Sequence, residues 1–212
     1  MFLKRGIFVN KENQKKLFKL CLAAIFIAII VIMTFTSIGY IKVGIIEITL
    51  LTIPVAVGGL LLGKSGGLLL GAVFGLTSFI QCFGMSPFGA ALLEINPILT
   101  FLVCMLPRLA VGFFGTWIFE SLSKTKLNAN ISALISFLSS SLINTVGFVG
   151  LLILFFGRTE YIQSVSASLG AQNMFVFFFL FAGVNSIVEA IACSVCGGAL
   201  GGVLMKLKAK MN

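Results

Sequence analysis

The stretch Lys15-Lys16-Leu17-Phe18-Lys19-Leu20-Cys21-Leu22-Ala23-Ala24-Ile25-Phe26-Ile27-Ala28-Ile29-Ile30-Val31-Ile32-Met33-Thr34 decides the fold class. Three lysines close a cationic N-terminal segment that also holds Lys4, Arg5 and Lys11, and no charge follows until Lys42. The apolar run exceeds the core of a cleavable signal peptide and is long enough to cross the ~30 Å hydrocarbon layer of a bilayer. It is expected to be a retained span over 17–38, after a short cytoplasmic segment 1–16.

The rest of the chain resembles this stretch. Hydrophobic residues make up 59% and charged residues 10% of its 212 residues, with a mean hydropathy of +1.15. Soluble domains carry about 25% charged residues, so a soluble globular protein is excluded. Further apolar runs predict spans over 48–63, which Pro54 breaks, and over 66–84, 97–122, 131–156 and 173–205. The last is long enough to tilt or protrude. Six spans of about 20 residues leave no room for a soluble domain. The expectation is therefore an all-α membrane protein, one transmembrane domain over 1–212, built as a six-helix bundle.

Charge sets the orientation. The net charge of +9 would suggest nucleic acid in a soluble protein, but here the cations sit in short segments between apolar runs, facing lipid. With the N-terminus inside, twelve cations fall on the inner side: the six up to Lys19, then Lys64, Lys124, Lys126, Lys206, Lys208 and Lys210. Only Lys42 and Arg158 fall outside. That asymmetry predicts two cytoplasmic termini and an even number of spans. The outer loops are then 39–47, 85–96 and 157–172. The middle one is too apolar for a solvated loop, and reads either as an interfacial segment or as a lid over an outward-facing cavity.

Several chemistries are excluded. The chain has no His and no Asp, so histidine–metal sites, histidine bases and Ser-His-Asp triads are unavailable. It has no Walker A motif, so any ATP hydrolysis belongs to partners. The five cysteines lie in apolar runs and read as small apolar residues; Cys193 and Cys196 form a C-x-x-C without a thioredoxin-like context. No enzyme activity, cofactor or metal is expected.

The unusual residues are polar groups deep in spans. At 1.5 Å per residue, Arg108, Asn144 and Asn185 fall roughly 16–18 Å below the outer surface, with Glu189 one turn deeper on the face of Asn185. A charge at the bilayer centre costs at least about 2.5–3.5 kcal/mol. Either Arg108 and Glu189 pair structurally, or these spans line a polar cavity where Arg108 meets a ligand's charged group. Thr77, Ser78 and Gln81 near the outer end of span three, and Asn96 before Pro97, are candidate rim contacts or satisfied helix-end groups. Glycines recur at four-residue spacing (Gly59, Gly63, Gly67, Gly71 and Gly75, then Gly197 and Gly201), which predicts close helix packing within the bundle. Ala24 and Ala28 form an A-x-x-x-A in span one.

Together these features resemble the substrate-binding (S) components of energy-coupling factor (ECF) vitamin transporters. Lys19 to Ala28 is similar to that family's first helix. Ile48 to Val55, the Gly58–Ser78 glycine series, Pro107-Arg108-Leu109 with Gly112, Asn144-Thr145 and Asn185-Ser186-Ile187-Val188-Glu189-Ala190 resemble the pantothenate-type group. The resemblance implies a multi-pass protein of the bacterial cell membrane that captures a vitamin from outside. It implies partners too: a transmembrane coupling protein, docked through Ala24 and Ala28, and two cytoplasmic ATPases. Pantothenate offers a carboxylate, two hydroxyls and an amide, which suit Arg108, Asn144 and Asn185, with Glu189, Gln81 and Asn96 as further binding residues. Another vitamin of the same class (riboflavin, folate, pyridoxine or a thiamin precursor) is the alternative, and a ligand-free membrane scaffold a more distant one. The single Trp117 and the loop residues Tyr40 and Tyr161 argue against an aromatic-lined site. The Phe-rich start of span six, Phe175 to Phe181, is expected to face lipid or core.

Overall fold

A computed structural model describes residues 11–36, 39–43 and 46–211. Lys4 and Arg5 of the cationic N-terminus lie outside them. The described chain is a helical bundle: α1 (Lys11–Thr34), α2 (Thr52–Leu62), α3 (Lys64–Gln81), α4 (Pro87–Ile95), α5 (Pro97–Leu122), α6 (Ala129–Phe156), α7 (Glu160–Ser168) and α8 (Met174–Met211). The loop after α1 departs from the all-helical expectation. It folds into a two-stranded antiparallel hairpin, β1 (Tyr40–Val43) and β2 (Ile46–Thr49), with Tyr40 opposite Thr49.

Six helices correspond to the six expected spans. Four contain segments long and apolar enough to cross a membrane: Glu12–Thr34, Pro97–Leu122, Ala129–Phe156 and Ser186–Ala209. α2 is shorter. Its 11 residues rise about 16 Å, half a hydrocarbon layer. Pro54 does not break it. The proline lies in the first turn, where the backbone N–H has no intrahelical partner to lose. The real break is Gly63, whose φ of +83° suits glycine and lets α3 start at once. At 38 residues, α8 runs about 57 Å, well beyond a bilayer core.

The hairpin, α4 and α7 all occupy one end of the bundle, because each joins an ascending helix to a descending one. Local sequence explains the two short helices. Ser86 precedes Pro87 and accepts the Gly89 N–H at 3.1 Å, and Thr159 accepts the Ile162 N–H at 3.4 Å. A capping oxygen followed by proline is a strong helix start. At the opposite end, Glu120 of α5 meets Lys208 of α8 at 3.4 Å and Lys64 of α3 at 3.9 Å.

Helix packing follows the glycines. A Cβ on Gly67 would strike the Gly112 carbonyl, and one on Gly71 would strike the Arg108 carbonyl, so α3 lies backbone-to-backbone on α5. Gly197 and Gly201 let α8 meet α6 at Leu134, Asn130 and Ala133 in the same way. Around this frame lie two apolar cores. One holds Phe26, Ile30, Leu51, Val55, Phe74 and Phe119; the other holds Phe88, Val103, Val149, Phe156, Phe177 and Phe181. Outward-facing Ile25, Ile98, Leu154, Phe175, Ile191 and Val195 are more than half exposed, a surface suited to lipid rather than water.

Candidate functional site

Between the two cores, beneath the hairpin and α4, lies a cavity of about 80 Å³. Its wall collects one stripe from each of several helices: Ser78, Gln81 and Cys82 from α3, Thr100, Cys104 and Arg108 from α5, Asn144 and Phe148 from α6, and Phe181 from α8. Tyr40 and Thr49 enter from the hairpin, and Ser86, Phe88, Gly89 and Leu92 from α4. The middle loop is thus a helix whose apolar face closes the cavity. Phe88 anchors it, with ring centroids 5.5 Å from Phe181 and 5.8 Å from Tyr161.

Arg108 is the charged member of this wall and is 5% exposed. Its position follows from the preceding residue. Pro107 has no N–H to give to the carbonyl four residues back, which is Val103. Arg108 fills that gap: Nη1 donates to the Val103 carbonyl at 3.0 Å. The guanidinium is also flanked by rings, with Cζ 4.8 Å from the Phe148 centroid and 5.4 Å from that of Phe74. These contacts hold the cation without neutralising it. Nε is buried and has no hydrogen-bond partner.

Glu189 does not pair with Arg108. Ion pairs lie elsewhere, at Lys16–Glu12, Lys64–Glu120 and Lys208–Glu120. Glu189 is fully buried and is satisfied by neutral donors instead: Thr52 Oγ1, Asn144 Nδ2 at 3.2 Å and 3.4 Å to its two oxygens, and Thr145 Oγ1 at 3.5 Å. Of the two readings left open by the sequence, the direct Arg108–Glu189 pair is not formed, and the physical reason is supply: donors from α2 and α6 surround the carboxylate, while the proline-freed carbonyl holds the arginine elsewhere. Asn144 joins the two halves. Its side chain lines the cavity, and its amide N–H bonds Glu189 behind it.

The other expected residues separate. Gln81 lines the cavity while Nε2 donates to the Thr34 carbonyl at 2.7 Å, tying the end of α1 to α3. Ser78 lines it too; Thr77 instead hydrogen-bonds Thr34. Asn96 is not in the wall. Its Oδ1 accepts the Ile98 and Leu99 N–H groups at 3.1 Å and 3.0 Å and caps α5. The Asn185 side chain lies outside the described residues. Phe175 and Phe179 face outward and Phe177 faces the core; Phe181 belongs to the same core and also lines the cavity.

Hydropathy alone does not single out Thr100, Cys104, Phe148 or Phe181. Helical spacing would have found them. Thr100, Cys104 and Arg108 sit at i, i+4, i+8, Asn144 and Phe148 at i, i+4, and Phe181 eight residues before Glu189. No such spacing marks Tyr40, Ser86 or Phe88, which reach the site on the hairpin and on α4.

The arrangement offers no nucleophile–base pair and no set of metal ligands among the described residues. It offers one held cation, amide and hydroxyl groups, and an apolar roof, a set of groups whose chemistry suits a small polar anion. The chain is 27% identical over 207 residues to a protein named pantothenic acid transporter PanT from Lactococcus lactis subsp. cremoris, covering 92% of this chain and 98% of that one. It is 27% identical over 197 residues to a protein named pantothenate transporter PanT from Leuconostoc mesenteroides subsp. mesenteroides, covering 89% and 92%. The family described as "ECF transporter, substrate-specific component" matches residues 18–197. With that match over most of its length and apolar helices of membrane length, the chain belongs to the substrate-specific components of ECF transporters, multi-pass proteins of the bacterial cell membrane.

Proposed function

We propose that this protein captures pantothenate from outside the cell and delivers it by docking to an energising module of a transmembrane coupling protein and two cytoplasmic ATPases. The observation that carries the substrate reading is the buried Arg108 guanidinium, held on the cavity wall by a carbonyl and two rings with no ion-pair partner among the described residues. An anion that enters the cavity meets that charge where solvent screens it little. Asn144, Gln81, Ser78 and Thr100 then face the hydroxyls and amide of the vitamin. Glu189 acts on the ligand through Asn144, whose amide it orients. The two PanT relatives match the chain nearly end to end.

In this reading the bundle has six spans with both termini cytoplasmic, and the hairpin, α4 and α7 face outward. The cavity of about 80 Å³ is smaller than the ~300–1,000 Å³ of typical small-molecule sites. Loading therefore requires α4 to swing outward and then reclose over the vitamin. Docking uses α1: Ala24 and Ala28 are exposed on one stripe, while Ala23, Phe26 and Ile30 on the other side are buried.

The test is ligand identification. Protein extracted in mild detergent from cells grown in rich medium is denatured, and the released small molecules are analysed by mass spectrometry. Stoichiometric pantothenate is the expected result. A different vitamin overturns the substrate and the role of Arg108; no ligand, and no thermal shift with any vitamin, overturns the binding function.

A further inference from the structure

Two thiols face each other across the cavity wall. Cys82, at the C-terminal end of α3, and Cys104, in α5, have Sγ atoms 3.9 Å apart although they are 22 residues distant in sequence. Both line the cavity and are otherwise shielded, at 4% and 5% exposure, so a reagent reaches them through the cavity. The lid rests on the first of them. A Cβ on Gly89 of α4 would come within 2.7 Å of Cys82 Sγ, so glycine there seats the lid directly on the sulfur. Arg108 lies one turn beyond Cys104 on the same helix face. The C-x-x-C that stands out in the sequence is less suited to chemistry: Cys193 is fully buried on α8 and lines no part of this cavity.

We propose that Cys82 and Cys104 are a redox-modifiable dithiol, which a peroxide entering from outside converts to a disulfide that shuts the cavity. One sulfur, as its thiolate, attacks a peroxide oxygen; an S–O bond forms, the O–O bond breaks, and the departing hydroxide takes the thiol's proton as water. The second sulfur attacks the resulting sulfenic acid; the S–S bond forms, the S–O bond breaks, and a second water leaves with the second proton. Two electrons pass from the sulfur pair to the peroxide. A disulfide needs the sulfurs ~2.05 Å apart, so the two Sγ atoms must approach from 3.9 Å, by rotation of the side chains and a shift of the end of α3 in this proposal. The shift is assigned to the residues just past α3, where Cys82 lies beyond the last helical residue and is followed by a turn through Gly84 at φ +110°. That shift draws Gln81 toward Arg108 and disturbs the seat of α4.

Formation of the bond stands independently of the substrate; its effect on binding rests on the pantothenate reading. The experiment uses the full chain with Cys21, Cys193 and Cys196 replaced by Ser, and the wild type as a folding control. Each is treated with hydrogen peroxide, then with a maleimide, and weighed intact. In the variant, the expected result is loss of both maleimide additions, a peptide cross-link joining residues 82 and 104, and recovery with dithiothreitol. Peptide mapping of the wild type should show the same cross-link. Pantothenate affinity should fall at least about tenfold on oxidation, or ~1.4 kcal/mol, and recover with the thiols. Persistent maleimide labelling of both residues, sulfinic acid products or intermolecular dimers would overturn the dithiol. A cross-link that leaves affinity unchanged would overturn the closure. Absence of pantothenate binding in both redox states would sink the substrate reading instead, while the cross-link still decides the dithiol.

Discussion

Replacing Arg108 by methionine should erase the protein's ability to tell a carboxylate from an alcohol. Methionine keeps an unbranched stem between Phe74 and Phe148, so packing changes little while the guanidinium is lost. A hydrogen bond to a charged group contributes about 1.5–3 kcal/mol, and at 5% exposure solvent screening subtracts little. The matching ratio of affinities is about 10- to 150-fold. A second effect must be separated from this one. Without Arg108, the Val103 carbonyl has no donor, which costs about 1–3 kcal/mol of stability whatever the ligand. Measuring two ligands on each protein removes it. Calorimetry with pantothenate and with panthenol, its alcohol analogue, should give wild-type protein the full preference for the acid and Arg108→Met none. Arg108→Lys should fall between, because one ammonium cannot serve both the Val103 carbonyl and a ligand carboxylate in the fork geometry of arginine. A wild-type preference that persists in Arg108→Met would show that the carboxylate is recognised elsewhere and refute the assignment.

Other predictions test the frame around the site. Gly71→Ala should lower stability by about 1–3 kcal/mol in a detergent thermal melt, because its Cβ would meet the Arg108 carbonyl; Gly150→Ala, with nothing within 4 Å, should be neutral or stabilising. Equal effects at the two glycines would contradict the close approach of α3 and α5. Thr52→Val removes a donor from buried Glu189 and should destabilise by about 1–3 kcal/mol; an unchanged melting temperature would mean the carboxylate is satisfied without α2. Ala24→Trp and Ala28→Trp should abolish uptake in cells while leaving pantothenate affinity of the purified protein intact. Binding that fails in step with uptake would make those alanines structural.

Much of the bundle is legible in the chain because hydropathy is a local property. Six apolar runs became six helices, and the Gly63 break and the Asn96–Pro97 junction lie where turn and cap chemistry puts them; the helix starting at Ser86–Pro87 falls in what reads as a loop. Pro54 misleads because proline's effect depends on its place in a helix, and only the start at Thr52 decides that. The glycine series is legible as a packing surface, though not which helix it meets. The site is half legible. Arg108 and Asn144 stand out because polar groups inside long apolar runs need a reason, whereas Asn96 and Gln81 look alike in sequence and differ in what their side chains hold.

The sequence by itself determined membrane residence, the alternation of helices and connecting segments, and the position of each polar residue along its helix, since all three follow from composition and a fixed rise per residue. Only the tertiary structure decided which residues face one another. It set Arg108 on the carbonyl freed by Pro107, gave Glu189 to Thr52, Asn144 and Thr145, folded the middle loop into a lid, and brought Cys82 to Cys104. Depth along a helix is one-dimensional and can be counted, but the direction a side chain takes around its helix gains a partner only when another helix packs there.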